Sequence, residues 1–435
     1  MRRDLRLEDN TGLFNALRSG KPVILFFVFD RNILEKLDDA NDRRVNFIHK
    51  RLIYLKKQLK ELGSDVHVRY GDPVEEWRYL LRNYKVSAVY WNRDYESYAL
   101  QRDGQIKAIL FNKGVEVYTF KDHVLFEKGE LTKVDGKPYT VFTPYLRKAY
   151  EKLGYDPAWP DKPLQINSFP SEKHLEMLWK TAQRPIPTLE SMAFREQSCP
   201  DVVPEMPSSR MKAYADNRDF PSIDGTTRMG IHLRFGTLSI RIAARKSAKF
   251  SPVLLSELLW RDFYSMILQA FPSVESHPFR KEFEEMAWEN DPGKFAAWCN
   301  GCTGFPMVDA GMRQLNATGF MHNRLRMLTA SFLVKHLLVD WRWGEAYFAS
   351  KLLDYDLASN NGGWQWAAGC GTDAAPYFRI FSPDAQQQRF DPQFKFVRNW
   401  IPEYGTKNYP QPIIDHAFAR DRFLHLAKAA FNKKT

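Results

Sequence analysis

The stretch V-I-L-F-F-V-F-D at 23–30 is short, almost continuously apolar and closed by a charge. That is the pattern of a strand buried on both faces, not of one alternating between core and water. Residues 44–63 follow with apolar side chains at helical spacing among many lysines. Three more runs, V-H-V-R-Y (66–70), V-S-A-V-Y-W-N (86–92) and V-E-V-Y-T-F (115–120), alternate with helical stretches near 74–82 and 98–113. Strands spaced by helices of roughly 10–20 residues predict βαβ units and a parallel, doubly wound sheet, hence an α/β domain over 1–130. No G-x-G-x-x-G follows any of these strands, so a dinucleotide fingerprint is missing.

Beyond the sheet the pattern changes twice. Residues 157–207 are rich in proline and poor in periodicity, with one short helix near 173–181, and predict an interdomain connector over 131–207. From 208 onward, 254–268 and 318–341 carry apolar residues at three- and four-residue spacing, and 418–431 reads as an amphipathic basic helix. The expectation is an all-α domain over 208–435, which holds 8 of the 12 Trp.

Composition excludes several classes. The chain has 435 residues, 44% apolar and 26% charged, too apolar for wholesale disorder. No apolar run reaches about 18 residues, so no spanning helix is expected. The start lacks the apolar segment of a secretory signal, which points to the cytoplasm. A net charge of +11 suits a polyanionic partner and equally a merely basic soluble protein. Trp298-Cys299-Asn300-Gly301-Cys302 has the spacing of a redox pair but sits in the helical half, and Cys199 and Cys370 are isolated. Neither zinc nor iron–sulfur spacing fits, so these read as ordinary loop cysteines and no metal site is expected. No G-x-S-x-G is present, and His232, His322 and His336 lack an obvious acid partner, which disfavours hydrolase chemistry.

Two segments stand apart. L-D-Y-D-L-A-S-N-N-G-G-W-Q-W-A-A at 353–368 packs acids, amides, glycines and indoles together; a capped turn between core helices is the plain alternative. Trp364 and Trp366, two apart, should face different surfaces. In G-M-R-Q-L-N-A-T-G-F-M-H-N-R-L-R-M-L-T-A-S at 311–331, Asn323 and Met327 share a helix face, Arg324 and Arg326 point elsewhere, and Arg326 suits a carboxylate such as Asp354. Glu257 and Trp260, three apart, also share a face.

With these motifs, and with G-T-D-A-A-P-Y-F-R-I-F at 371–381 and R-R-D-L-R-L at 2–7 followed by Asp9 and Asn10, essentially the whole chain resembles the cryptochrome/photolyase family. The match is to class I cyclobutane pyrimidine dimer photolyases. That resemblance implies an N-terminal antenna-type α/β domain and a helical domain with non-covalent, U-shaped FAD. It implies cofactor contacts from Tyr214, Thr226, Thr227, Arg228, Met229, Gly230, Arg326, Asp354, Tyr355 and Asp356, with Asn360 beside the reactive flavin nitrogen. Trp364, Trp341 and Trp288 match an electron-transfer chain from cofactor to surface. Glu257, Trp260, Asn323, Arg324, Met327 and Trp366 match the lesion pocket, where indoles wall a flipped dinucleotide and Glu257 and Asn323 hydrogen-bond the bases. Arg218, Arg324 and Gln386 match DNA contacts. Glu257, Asn323 and Asn360 are thus the catalytic candidates. The implied activity is light-driven repair of UV-damaged DNA, by a monomeric, nucleoid-associated cytoplasmic enzyme of bacterial type with no membrane partner.

Two departures accompany the match. Family members begin with an apolar strand ahead of the 2–7 signature, so the first strand of the sheet is expected to be missing, at a cost in stability. The polar pair of folate-antenna enzymes falls at Tyr98-Ala99, which leaves a second antenna chromophore open between a deazaflavin, another group or none. A blue-light-sensing cryptochrome using the same flavin is the rival reading, disfavoured by Asn360, Asn323 and Trp366. A flavin-free DNA-binding protein, which needs no Trp row, is the second.

Overall fold

The four runs become strands, but they form two separate pairs, and the fourth strand has no buried residue. The computed structural model describes residues 1–432. β1 (Leu25–Asp30) pairs in parallel with β2 (Val66–Gly71), Leu25 opposite Val66, and β3 (Ala88–Asn92) pairs in parallel with β4 (Glu116–Phe120), Ala88 opposite Glu116. Among the described residues no strand joins the pairs into one doubly wound sheet. The edges of β1 and β3 instead line a cavity of about 380 Å³. The Met1 amine, buried at its rim, donates to the Phe26 carbonyl at 2.7 Å.

The helices begin where local chemistry starts them. α1 (Thr11–Leu17) is capped by Asn10, α2 (Arg43–Glu61) by Asp42, and α3 (Pro73–Asn83) by Asp72 with proline in its first turn. α4 (Ser97–Asn112) completes the β3–β4 crossover. α5 (Phe142–Leu153) stands in the stretch read as connector, and the helix expected near 173–181 is a 3₁₀ segment, Ser171–Met177. α6 is Ile240–Phe250 and α7 is Pro252–Ala270, the latter capped by Ser251. α8 (Pro292–Asn300) and α9 (Pro306–Thr318) follow.

The periodic run 318–341 is not one helix. Gly319, at φ +71°, ends α9; His322 caps α10 (Asn323–Ser331); a π turn, Phe332–His336, follows; and Asp340 caps α11 (Trp341–Lys351). The apolar spacing was sound, but the left-handed glycine and the two caps divide it. α12 (Leu357–Ala368) is capped by Asp356, α13 is Pro383–Phe390, and α14 is His416–Asn432. No helix of the described residues is long and apolar enough to cross a membrane.

The chain divides into two compact units. One comprises Met1–Glu127, Tyr150–Met206 and Arg228–Phe250; the other comprises Lys128–Ala149, Pro207–Thr227 and Ser251–Thr435. In the first unit the 2–10 signature is spent on internal pairing. Arg6 meets Asp122 at 2.6 Å, Arg241 meets both Asp122 and Asp9 at 2.9 Å, and all four residues are buried. Asp122 also accepts the backbone N–H and hydroxyl of Thr11. The core of the second unit is a cluster from α8 to α14 around Trp298, Phe332, Trp341, Phe348 and Trp364.

Candidate functional site

The second unit holds a cavity of about 380 Å³ in which four helices contribute side chains to one space. α7 supplies Glu257, Trp260, Arg261 and Tyr264. α10 supplies Asn323, Arg326 and Met327. α11 supplies Phe348, and the chain into α12 supplies Asp354, Tyr355, Asp356, Asn360, Trp364 and Trp366. The i, i+3 and i, i+4 pairs Glu257/Trp260 and Asn323/Met327 face this space as their spacing requires. Arg218 joins them from its own short segment.

Trp364 and Trp366 both line this cavity, although residues two apart on α12 do not share a face. Trp364 lies deep, 2% exposed, and Trp366 is half-buried. Arg326, which the sequence pairs with Asp354, also lines the cavity. Its guanidinium donates to both oxygens of Asp354, at 3.0 and 2.9 Å, while its Nε holds the Met321 carbonyl at 2.8 Å. A second guanidinium, Arg261, lies 4.0 Å from Asp356. The cavity wall thus carries two arginine–carboxylate pairs.

Asn360 is oriented by a residue the sequence reading missed. Its Nδ2 donates to the Glu345 carboxylate at 2.8 Å and to the Glu345 carbonyl at 3.1 Å. Burial raises the Glu345 carboxyl above its ordinary range, against the opposing effect of that hydrogen bond. The amide oxygen of Asn360 has no donor among the described residues. Glu345 lies fifteen residues upstream on another helix, and only its burial gives it away.

Trp364 packs against α11 at Gly344, where a Cβ would come within 2.1 Å of its ring. Gly344 is three residues from Trp341, so the face Trp364 meets is the face that Trp341 occupies. Trp341 is 2% exposed in the same cluster, and Trp288 packs at its edge. The rings in contact with Trp364 are Phe348, at 5.0 Å, and Trp298, at 6.0 Å. The row expected from Trp364 to Trp341 to Trp288 therefore lies within one aromatic core, with Trp298 a further neighbour. The buried Trp364 indole nitrogen has no partner.

The charged rim is paired. Arg218 donates to Glu257 at 2.6 Å and lies 5.4 Å over the ring of Tyr214, whose hydroxyl burial pushes up to about 12. Arg324 donates to Asp219 at 2.5 Å and lies 4.2 Å over Phe390, on the helix that carries Gln386. Tyr214, Thr226, Thr227, Arg324, Gln386, Trp288 and Trp341 do not line the cavity. Arg228, Met229 and Gly230 belong to the other unit, with Arg228 at φ +51°. His322, beside Asn323, is a buried cap: its Nδ1 accepts the Arg324 N–H, and burial lowers its pKa to about 4. Cys299 is raised by burial to about 12, the opposite of what a redox nucleophile needs.

The residues fit a large planar cofactor. An open amide oxygen and the two arginine–carboxylate pairs surround one apolar-walled space, and all are groups that hydrogen-bond a polar heterocycle. The comparisons agree. Residues 1–164 match the family model "DNA photolyase", and residues 254–406 match "FAD binding domain of DNA photolyase". The deoxyribodipyrimidine photo-lyase of Salmonella typhimurium is 37% identical, over 99% of this chain and 98% of its own. The crystal structure of a bacterial class III photolyase from Agrobacterium tumefaciens superposes with a TM-score of 0.84 at 31% identity, covering 100% of this chain and 97% of that one. That of an archaeal photolyase from Sulfolobus tokodaii with two FAD molecules gives 0.79 at 32%, covering 99% and 98%. On its sequence from end to end, on both family models and on its fold, the chain belongs to the DNA photolyase family.

Proposed function

We propose that the chain repairs cyclobutane pyrimidine dimers in UV-damaged DNA under light, with FAD held in the cavity of the second unit. The observation that carries this reading is that one cavity is lined both by Arg326, Asp354, Asp356, Asn360 and Trp364 and by Glu257, Trp260, Asn323, Met327 and Trp366. Cofactor and lesion candidates thus share a single space.

When bound, FAD supplies light absorption and a reversible one-electron donation, which splits the cyclobutane ring with no net redox change. The protein supplies the rest. Arg326 and Arg261 neutralise Asp354 and Asp356, so both carboxylates can accept from a polar ring without leaving uncompensated charge. Glu345 fixes the Asn360 amide and turns its oxygen free as an acceptor. Trp260 and Trp366 offer flat walls to a flipped dinucleotide, and Asn323 and Glu257 offer hydrogen bonds to its edges. Glu257 is engaged by Arg218 in the DNA-free protein. A phosphate that takes over Arg218 therefore frees Glu257 for the bases, which couples backbone contact to lesion contact.

The test is a flavin absorption spectrum of the purified protein, followed by illumination with a dimer-bearing oligonucleotide. Flavin absorbance and blue-light-dependent cleavage of the dimer are expected. Flavin without light-dependent cleavage points to a photosensor, and no flavin overturns the proposal. Trp364→Phe is expected to abolish photoreduction of the oxidised flavin while sparing repair once the flavin is chemically reduced. Equal loss in both states would remove Trp364 from the relay.

A further inference from the structure

The segment G-T-D-A-A-P-Y-F-R-I-F, 371–381, lines no part of the cavity, although it leaves α12 directly after Trp366. Asp373 within it is held at φ +47°, a left-handed conformation disfavoured for a residue with a Cβ. Its carboxylate Oδ2 accepts the backbone N–H of Phe142 at 3.2 Å. Phe142, the first residue of α5, is 5% exposed and lies flat against Trp260, with ring centroids 3.7 Å apart and planes 14° apart. Phe263 meets the same indole edge-on at 5.6 Å. One face of Trp260 is therefore covered by Phe142, while the ring still lines the cavity.

The other end of this connection is equally tied. The N–H groups of Gly369, Cys370 and Gly371 all donate to the Gln365 carbonyl at 3.0 Å, immediately beside Trp366. A Cβ on Gly371 would fall 2.9 Å from that of Gln365, so the turn is closed tightly. The Gln365 side chain is itself anchored to the Val274 carbonyl and the Phe279 N–H, each at 2.9 Å. From Trp366, through this turn, to Asp373, Phe142 and Trp260, the two indole walls are joined by a short path of hydrogen bonds and one stacked ring.

We propose that Phe142 and Asp373 form a brace that sets the spacing of Trp260 and Trp366, and so determines which flipped pyrimidine pair the cavity accepts. The proposal deepens the repair reading and rests on it. Both are positioning residues: neither lines the cavity. A flat contact on one indole face resists rotation of Trp260 and so keeps the ring in place as a wall for a base.

The experiment measures equilibrium binding in the dark to an oligonucleotide with one cyclobutane dimer and to its undamaged counterpart, using the flavin-loaded protein. Phe142→Ala is expected to weaken binding to the dimer about tenfold, the scale of one imperfect base–indole stack, with binding to undamaged DNA within about twofold. Phe142→Tyr keeps the flat ring and is expected to bind as wild type. Asp373→Ala is expected to weaken dimer binding about threefold through the lost hydrogen bond. Under light and saturating DNA, kcat is expected to hold while KM rises. Dimer binding unchanged in Phe142→Ala overturns the brace and leaves the repair reading intact. Equal loss on both oligonucleotides, or loss not restored by Phe142→Tyr, also overturns it, because a general packing defect would act that way. Should Phe142→Ala not fold, Asp373→Ala and Phe142→Leu carry the same comparison. A wild-type protein with no preference for the dimer overturns the repair reading, and the brace with it.

Discussion

The two units each contain a dense polar motif, and they use it in opposite ways. Around 2–10 in the first unit, Arg6, Asp9, Asp122 and Arg241 are buried and close on one another, and Thr11 and Ser239 fill remaining acceptor sites. Around 353–366 in the second, the arginine–carboxylate pairs stand at a cavity wall, the Trp364 nitrogen has no partner, and Asn360 is tethered by one end only. A polar cluster that satisfies itself holds a fold together. A polar cluster that leaves groups aimed at a space is prepared for something to enter it. Motif density alone does not separate these cases; the hydrogen-bond partners do.

The widest break between the units is expected from removing one carboxylate in each. Asp122→Ala leaves Arg6 buried without a carboxylate partner and Arg241 with Asp9 alone, and is expected to cost about 3–5 kcal/mol, read as an early denaturant transition of the first unit. Glu257→Ala removes the partner of Arg218 at a pair that is 21% and 31% exposed, and is expected to cost below about 1 kcal/mol of stability. Its effect should appear in binding to dimer-bearing DNA instead. The reverse ordering would mean that the 2–10 network is not structural. Asp122 also sharpens the contrast in acid. Burial alone would push its carboxyl up, but Arg6 and Arg241 outweigh that and hold it at about 2. A carboxyl depressed in this way contributes stability above its unfolded pKa near 3.8, and the contribution is lost as pH falls through about 2.

How much of this was legible in sequence follows the same division. The strands at 23–30, 66–70, 86–92 and 115–120 were readable because each is a short apolar run between helical periods; β1, β3 and β4 fall within them and β2 overruns its run by Gly71. The split of the sheet into two pairs follows from what lies between strands, which the runs themselves do not state. Within the cavity, Glu257 with Trp260 and Asn323 with Met327 were legible because helical spacing fixes a common face. The rule alone does not group Trp364, Trp366 and Arg326, which the cavity nonetheless collects from different faces. The contacts of Glu345, Asp219, Phe142 and Asp373 were invisible, because each is made across the chain; only Asp373 sits in a marked motif, and that motif says nothing of Phe142. The signature at 2–10 was recognisable as a motif, but its purely internal pairing with Asp122 and Arg241 needed coordinates.

Two histidines extend the comparison at moderate scale, one in each unit. His232 and His322 are both held neutral by burial, with pKa values lowered from 6.5 to about 4. An imidazole depressed on folding takes up its proton more readily in the unfolded chain. Stability is therefore full above about pH 6.5 and declines as pH falls toward 4, by at most about 3 kcal/mol for each group. The two differ in bonding: the His232 Nδ1 meets the Thr237 hydroxyl at 2.7 Å, whereas the His322 Nε2 makes no well-formed hydrogen bond among the described residues and has only the Arg218 backbone nearby. His322→Asn keeps a side chain able to cap α10 and is expected to flatten the second unit's stability between pH 6.5 and 4.5 while leaving the slope of the first. Unfolding followed at pH 7.5 and pH 4.5 separates the two; an unchanged slope in the second unit would place its titrating group elsewhere.

The smallest effect is expected where neither kind of cluster exists. Cys302 lies exposed after α8, and Cys299 ends that helix with a thiol that burial raises to about 12. Their W-C-x-x-C spacing suggests redox chemistry by pattern alone, yet the inner thiol is protonated at neutral pH and so is a poor nucleophile. Cys302→Ser exchanges one small exposed polar group for another and is expected to shift stability by less than about 0.5 kcal/mol, with light-dependent repair unchanged. The Cys299 thiol is expected to react slowly with a maleimide or disulfide reagent in the folded protein, and Cys302 to react first because it is exposed. Rapid labelling of Cys299 at pH 7, or a repair rate that follows the thiol redox state, would give the motif a chemistry that its burial argues against. Agreement would leave spacing as the only thing it shares with a redox pair, just as the 2–10 cluster shares only polar density with the cavity.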